Sequence, residues 1–345
     1  MLRIQNIGAN QKNKVNYWPI VSKFDGLGDE IPSLLQLNDE QLKTHFASLH
    51  QSNFEKYSQL VMESLSTIYA GYFGYQDSPF AGANDQLYLS LIRLKLFLEH
   101  EMNSKIIKAK AVSNSLITAE EFYEQLSPYA KEPSGAHDKF FDFVAQEITL
   151  EQMREFLLIE VIRNEVVEDE VAMLIPGLGG HAMKQAMTSN LWDECGNGNI
   201  DNFHTTWLYE LIEAENAWDK IIEYRKNKPW FTSITSNSFN SLLTGHKKKL
   251  RSFGHFLVTE GWVFPHFKKI IEGMNRLGIT DNKIRIYFNM HIKIDPHHAE
   301  EMLAAIINNK PALTLEQLGD VLQGAHQAFA AGSLMYEKLL NHFKK

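Results

Sequence analysis

His291-Ile-Lys-Ile-Asp295-Pro-His297-His298 sets a carboxylate between imidazoles at spacings that suit metal ligation. On an α-helix, positions 291, 295 and 298 stand at i, i+4 and i+7 and share one face. Imidazole and carboxylate together favour iron, manganese or zinc over magnesium or calcium. Pro296 interrupts the pattern, because a proline inside a helix removes a backbone hydrogen bond and clashes with the preceding turn. Two outcomes follow from the sequence: a helix kinked at Asp295, or a new helix that starts there with Asp295 as its cap. The competing reading of the same stretch is an exposed, His-rich helix end.

A second cluster lies upstream, in Asn190-Leu-Trp-Asp-Glu194-Cys-Gly-Asn-Gly-Asn-Ile-Asp-Asn-Phe-His204. On a continuous helix Glu194 and His204 would be separated by a rotation of about 1000°, roughly 80° off alignment. They could then flank one seam, or a bend at Gly196 and Gly198, which weaken a helix, could bring them together. A surface loop with a cap is the plainer alternative. One helix earlier, Arg163-Asn-Glu165-Val-Val-Glu168-Asp-Glu170 places Glu165 and Glu168 one turn apart. Glu260 interrupts the apolar run Phe253-Gly-His-Phe-Leu-Val-Thr-Glu260-Gly-Trp-Val-Phe264. A carboxylate there is either buried with a partner or bound to something. Taken together, separate helices supply Glu168, Glu194, His204, Glu260, His291, Asp295 and His298. Inward carboxylates and imidazoles on a helix bundle are how proteins build dinuclear iron or manganese centres.

The rest of the 345 residues bounds the reading. The length accommodates two domains. A hydrophobic content of 44% and a charged content of 22% are those of a globular protein. The net charge of -8 argues against a nucleic-acid partner, which would need basic patches. The run His246-Lys-Lys-Lys-Leu-Arg251 reads as a solvated helix start. No stretch of about 18 apolar residues suggests a membrane span, and the N-terminus shows no apolar signal region. Cys195, the single cysteine, excludes an internal disulfide framework and fits a reducing cytoplasm.

Helical periodicity dominates and strand signals are scarce, so the expected class is all-α. Residues 1–35 read as irregular, 76–84 as a loop, and helices are expected over about 38–50, 53–72 and 85–108. Ser115 and Thr118-Ala-Glu-Glu121 read as helix starts, the latter with capping-box form. Pro133-Ser-Gly-Ala136 marks the expected domain boundary, dividing an all-helical region at 1–135, for covering or dimerisation, from a domain at 136–345. Beyond it, helices are expected over about 137–147, 150–172, 182–195, 203–225, 231–245, 248–277, 281–307 and 314–342. Gly177-Leu-Gly-Gly180 reads as an interhelix turn. His181, His255, His266, His326 and His342 read as structural or exposed. Trp207, Trp262, Phe264, Tyr287 and Phe288 read as core or as the wall of a pocket near the predicted ligands.

The pattern of Glu168, Glu194 with His204, Glu260, then His291-x-x-x-Asp295-x-x-His298 resembles the haem-oxygenase-like diiron oxidases and oxygenases, an iron-containing redox enzyme family. Its most specific pieces are Asp193-Glu194-x-Gly-x-Gly before His204 and the His291/Asp295/His298 triplet, and it covers about residues 140–310. The resemblance implies a haem-oxygenase-like helical bundle, with the additional N-terminal helical region outside it. It implies two Fe(II) ions held by the seven residues, O2 as co-substrate, and oxidation of a small organic substrate. That substrate would be amino-acid- or amine-derived, or a fatty acid, and the reaction N-oxygenation, C–H abstraction or oxidative C–C cleavage. Manganese in place of one iron stays open, as does Glu165 in place of Glu168. A cytoplasmic homodimer with an external electron donor, and without nucleic-acid or membrane partners, completes the expectation. The rivals are a cofactor-free or thiamin-related enzyme of the same helical fold and a non-catalytic metal-binding scaffold.

Overall fold

The computed structural model describes residues 30–73, 83–112, 118–131, 136–245 and 248–345, and every regular element among them is helical. The expectations for residues 1–29, most of the loop at 76–84, Ser115, Pro133 to Gly135 and the start of the basic run at His246 lie outside the described residues. Ile31–Leu35 forms a short helix, α1, inside the stretch expected to be irregular. Then come α2 (Asp39–Ser52), α3 (Phe54–Ala70) and α4 (Asp85–Glu101), which runs on into a wider π-type turn over Met102–Ile107. Next are α5 (Ala119–Lys131), α6 (Ala136–Gln146), α7 (Leu150–Asn164), α8 (Val167–Leu174), α9 (His181–Glu194) and α10 (His204–Ala214). The chain ends with α11 (Trp218–Asn227), α12 (Ile234–Leu243), α13 (Lys249–Arg276), α14 (Asn282–Ile307) and α15 (Leu315–Phe343).

Local sequence explains most of the boundaries. Capping boxes open α2 at Asn38, α7 at Thr149 and α15 at Thr314, each side chain accepting from the backbone N–H three residues on. Thr118 and Glu121 exchange the same reciprocal bonds ahead of α5. Two long helices expected from periodicity are each broken in two. The span 150–172 breaks between α7 and α8, and 203–225 breaks between α10 and α11. In the second break Asn216 takes a left-handed φ of 48°, a conformation that asparagine tolerates. Apolar spacing continues across both breaks, which is why periodicity alone joined them.

α13 is the axis of the bundle, and α5, α6, α12, α14 and α15 pack around it. The α13/α15 crossing is close because each helix offers a glycine there. A Cβ on Gly254 would lie 1.9 Å from the Val321 carbonyl oxygen, and one on Gly324 would lie 1.9 Å from that of Arg251. α14 lies on α13 with α9 and α10 against its other side. Two apolar cores result. One joins the N-terminal helices to α6, α7, α10 and the C-terminal half of α15, and the other joins α5, α8, α9, α12 and the N-terminal halves of α13 and α15. The predicted ligands on α9, α10, α13 and α14 lie among these apolar layers.

Candidate metal centre

α14 runs unbroken through Pro296, so no new helix starts at Asp295. His291, Asp295 and His298 therefore stay on one face, and all three are buried. Glu260 enters from the middle of α13 and is buried opposite them. It meets His298, whose Nδ1 lies 3.2 Å from Glu260 Oε2.

Glu194 and His204 arrive by the bend. α9 ends at Glu194, and Gly196, Asn197 and Gly198 follow with φ of 64°, 54° and 81°. At Gly196 the chain passes so close to Asn202 that a Cβ would sit 2.5 Å from its carbonyl carbon. Two 3-10 turns, Gly196–Gly198 and Ile200–Asn202, complete the reversal and α10 begins at His204. Glu194 Oε2 then stands 2.5 Å from His204 Nδ1. The two atoms are not aligned as a hydrogen bond, and each is buried without another partner among the described residues.

The imidazoles are oriented by their surroundings. The Nδ1–H of His291 donates to the Tyr287 carbonyl at 2.6 Å, which leaves Nε2 with its lone pair free to ligate. The His204 ring stacks on Trp207 at 4.9 Å, and Trp207 is fixed by its Nε1–H donating to the Asp201 carbonyl. Burial drives His291 down to about 3, so it is neutral. His298 behaves oppositely. Burial opposes its charge, but Glu260, Asp295 and Asp193 outweigh that and push it up to about 10. With Asp193 Oδ2 at 2.9 Å from its Nε2, both ring nitrogens face carboxylates. Burial raises Glu260, and burial with the Glu260 charge raises Asp295 well above the usual range. Burial also opposes ionisation of Glu194, but His204 beside it carries it below the usual value.

Two three-residue sets bring ligand atoms within 4.8 Å of one another: Glu194 with His204 and His291, and Glu194 with Glu260 and His298. Glu194 belongs to both. Asp295 joins the second set on the same helix face, its Oδ1 3.7 Å from His298 Nδ1 and without a hydrogen bond among the described residues. Buried, unsatisfied donor atoms of this kind are costly unless something binds them. A mixed carboxylate and imidazole set is also the chemistry of iron, manganese and zinc sites, so these residues fit a bound metal.

Glu168 and Glu165 separate. Glu168 accepts from Thr205 through both Oγ1 (2.5 Å) and the backbone N–H (3.3 Å), beside His204, and burial raises it to about 7. Glu165 instead pairs with Arg225 in a different chamber. Neither belongs to the two sets. Asp193 stands in the quoted motif but was not among the expected ligands, yet it binds His298. Neighbouring residues on a helix point about 100° apart, so the sequence suggested one inward acid of the pair, not two. Phe264 is exposed, so it is neither core nor pocket wall.

A chamber of about 110 Å³ adjoins the ligands, lined by Glu194, Glu260, His291 and Asp295 and walled by Thr259, Trp262, Phe267 and Tyr336. His255 and His266 line it too, although the sequence placed them off the pattern. Burial holds His255 at about 3, as it does His137, and His266 well below 6.5, with His137 and Arg163 adding to the effect. These pKa values lie below the unfolded value near 6.5, so below that pH the unfolded chain binds more protons. Stability is therefore lost as pH falls from about 6.5 toward 3, by about 1.4 kcal/mol per pH unit for each histidine. Chemical denaturation at pH 7, 5.5 and 4.5 checks this. His255→Gln should flatten the slope by about one proton, and an unchanged slope would refute the assignment.

All seven residues lie within 154–333, the segment matched by the model of the iron-containing redox enzyme family. That segment is just over half of the chain, and the chain belongs to this family. No curated protein sequence matches it. Seventeen chains of known structure match. One is a CADD-like protein of unknown function from Nostoc punctiforme PCC 73102, at 14% identity and a TM-score of 0.52, covering 66% of this chain and 98% of that one. At that identity the likeness carries the fold alone. No helix among the described residues is long and apolar enough to cross a membrane.

Proposed function

We propose that this member of the family is a non-haem diiron enzyme that activates O2 to oxidise a small organic substrate. The observation that carries the reading is Glu194, shared by two ligand sets that otherwise use different residues. A shared carboxylate is what a pair of ions needs, since it neutralises both and fixes their separation. One ion would be held by Glu194, His204 and His291. The other would be held by Glu194, Glu260, Asp295 and His298, with Glu168 within reach of the His204 end. Two bound Fe(II) ions supply the electrons that dioxygen needs for N-oxygenation, C–H abstraction or oxidative C–C cleavage. Manganese at one position is the variant the donor set allows.

The protein's own residues do the rest. Tyr287 fixes the His291 tautomer through its carbonyl, and Trp207 fixes the His204 ring. Asp193 holds His298 from outside and accepts its proton-bearing Nε2–H when no metal is present. Trp262, Phe267 and Tyr336 line the adjoining chamber and would give a small substrate an apolar surface to pack against. An external electron donor and a homodimer belong to the same reading.

The test is iron per chain after anaerobic Fe(II) loading and removal of loose metal. About two per chain, with oxygen uptake on exposure to air, supports the reading. A value near zero removes it and leaves the rivals, a cofactor-free enzyme of this fold or a scaffold.

A further inference from the structure

α4 carries apolar side chains on two opposite faces. Leu91, Leu94 and Leu98 stand at i, i+3 and i+7 and are buried in the core. Leu89, Ile92 and Leu96 follow the same spacing on the other side of the helix. There Leu89 is 66% exposed, Leu96 is 56% exposed and Ile92 is half-buried. Tyr88, one turn before Ile92, is exposed as well. An apolar face on a helix calls for a packing partner, and the chain itself covers only the Leu91 face. Single exposed apolar side chains are ordinary, whereas a contiguous stripe marks a contact surface. The stripe lies outside the segment that matches the family, in the N-terminal region.

The ends of the stripe are complementary. Asp85 lies one turn before Leu89 and His100 one turn after Leu96, on the same face. Both are exposed, and neither side chain has a partner among the described residues. They stand about 22 Å apart along the helix, so they do not pair within one chain. Reversing the helix about the point between Ile92 and Arg93 lays Leu89 on Leu96 and Asp85 on His100, at both ends at once. A surface complementary to itself in this way is what a two-fold contact requires. Antiparallel pairing also sets each helix dipole against the other. Arg93, at the centre, is drawn back onto its own chain. Its Nη2 donates to the Leu37 carbonyl at 2.7 Å and its Nη1 meets Asp39 Oδ1 at 3.2 Å. Beside Leu89, an open groove of about 470 Å³ lined by Leu35, Leu37, Gln86 and Arg93 leaves room for a ridge of side chains to pack.

We propose that α4 is the contact surface of a homodimer, paired antiparallel with α4 of a second copy. Leu89, Ile92 and Leu96 form the seam, and Asp85 of each copy faces His100 of the other. The homodimer belongs to the function proposed above, but this surface does not depend on a metal. The contact is isologous, so every substitution on the stripe acts twice per dimer. The register is specific: Leu89 of one copy meets Leu96 of the other, not a second Leu89.

Sedimentation velocity on the full chain at pH 7, over a concentration series, is expected to show a dimer that dissociates on dilution. Leu89→Glu and Leu96→Glu each set a carboxylate against leucine twice per dimer, and each should weaken self-association at least about hundredfold. Far-UV circular dichroism should not change, because both side chains are exposed within one chain. Crosslinking in a Cys195→Ser background reads the register. Leu89→Cys combined with Leu96→Cys should oxidise to a covalent dimer, since the two positions lie about 10 Å apart within one chain, too far to bridge there. Leu89→Cys alone should stay uncrosslinked. A chain that is monomeric at every concentration, a dimer unmoved by either glutamate, or ready crosslinking of Leu89→Cys alone would overturn the proposal. Iron per chain on the same preparations separates this surface from the diiron reading. Two irons with an unaltered dimer in Leu89→Glu removes the surface alone. A dimer that Leu89→Glu dissociates, without iron in either protein, keeps the surface and removes the diiron centre.

Discussion

Glu194→Ala is expected to take iron from about two per chain to near zero after anaerobic loading. Glu194 is common to both ligand sets: without it the first keeps only His204 and His291, and the second keeps Glu260, His298 and Asp295 but loses a carboxylate. Two ligands hold a divalent ion far less tightly than three or four, and loss of one charge from each site weakens binding again. Single-set residues should behave differently. Glu260→Ala leaves Glu194, His204 and His291 together, and His204→Ala leaves Glu194, Glu260 and His298 together, so each should retain about one iron. Glu194→Gln preserves the side-chain volume and controls for collapse, because a residue only 2% exposed leaves a cavity when truncated to alanine. Iron analysis beside far-UV circular dichroism decides the matter. Two irons retained by a folded Glu194→Ala would show that the shared carboxylate is not a ligand, and the paired-site reading would fail with it.

The parts of this site that were legible in the sequence are those a straight helix determines. His291, Asp295 and His298 share a face by spacing alone, and α14 delivers them together because it continues through Pro296. Glu260 was legible because a lone acid in an apolar run must be buried, and it is. The all-α class was legible because alternating apolar patterns are scarce. The meeting of Glu194 and His204 was not decidable, since it depends on three consecutive left-handed residues and a close pass at Asn202 that periodicity does not encode. The choice between Glu165 and Glu168 was equally hidden. Glu165 sits at the end of α7, where the chain breaks, and its partner Arg225 is 60 residues away. The helices at 150–172 and 203–225 were overextended for the same reason: apolar spacing survives a short turn. Chambers are more remote still. Lys228 and Ser66 line one space from segments 162 residues apart, and no local pattern links them.

Asp295→Asn should act in opposite directions on metal and on fold. Asp295 is buried among Glu260, Glu194 and Asp193, and burial with the Glu260 charge raises it well above 3.8. An acid whose folded pKa is raised costs stability above its unfolded pKa, because the unfolded chain releases the proton that the folded chain retains. The cost is absent near pH 4 and grows with pH by about 1.4 kcal/mol per unit until the folded pKa is reached. An amide of the same shape has no proton to retain. The metal-free Asp295→Asn variant is therefore expected to melt about 2–5 °C higher than the unaltered protein at pH 7. At pH 4 the two should melt together. The same substitution removes the anionic ligand on the α14 face, so iron should fall from about two to about one per chain or less. The two results are informative only as a pair. A residue kept only for packing would lose stability when altered and leave iron unchanged. A ligand kept at the expense of the metal-free fold shows the reverse, as expected where a buried carboxylate is retained for what it binds. Lower stability at pH 7 together with two irons would place Asp295 outside the centre.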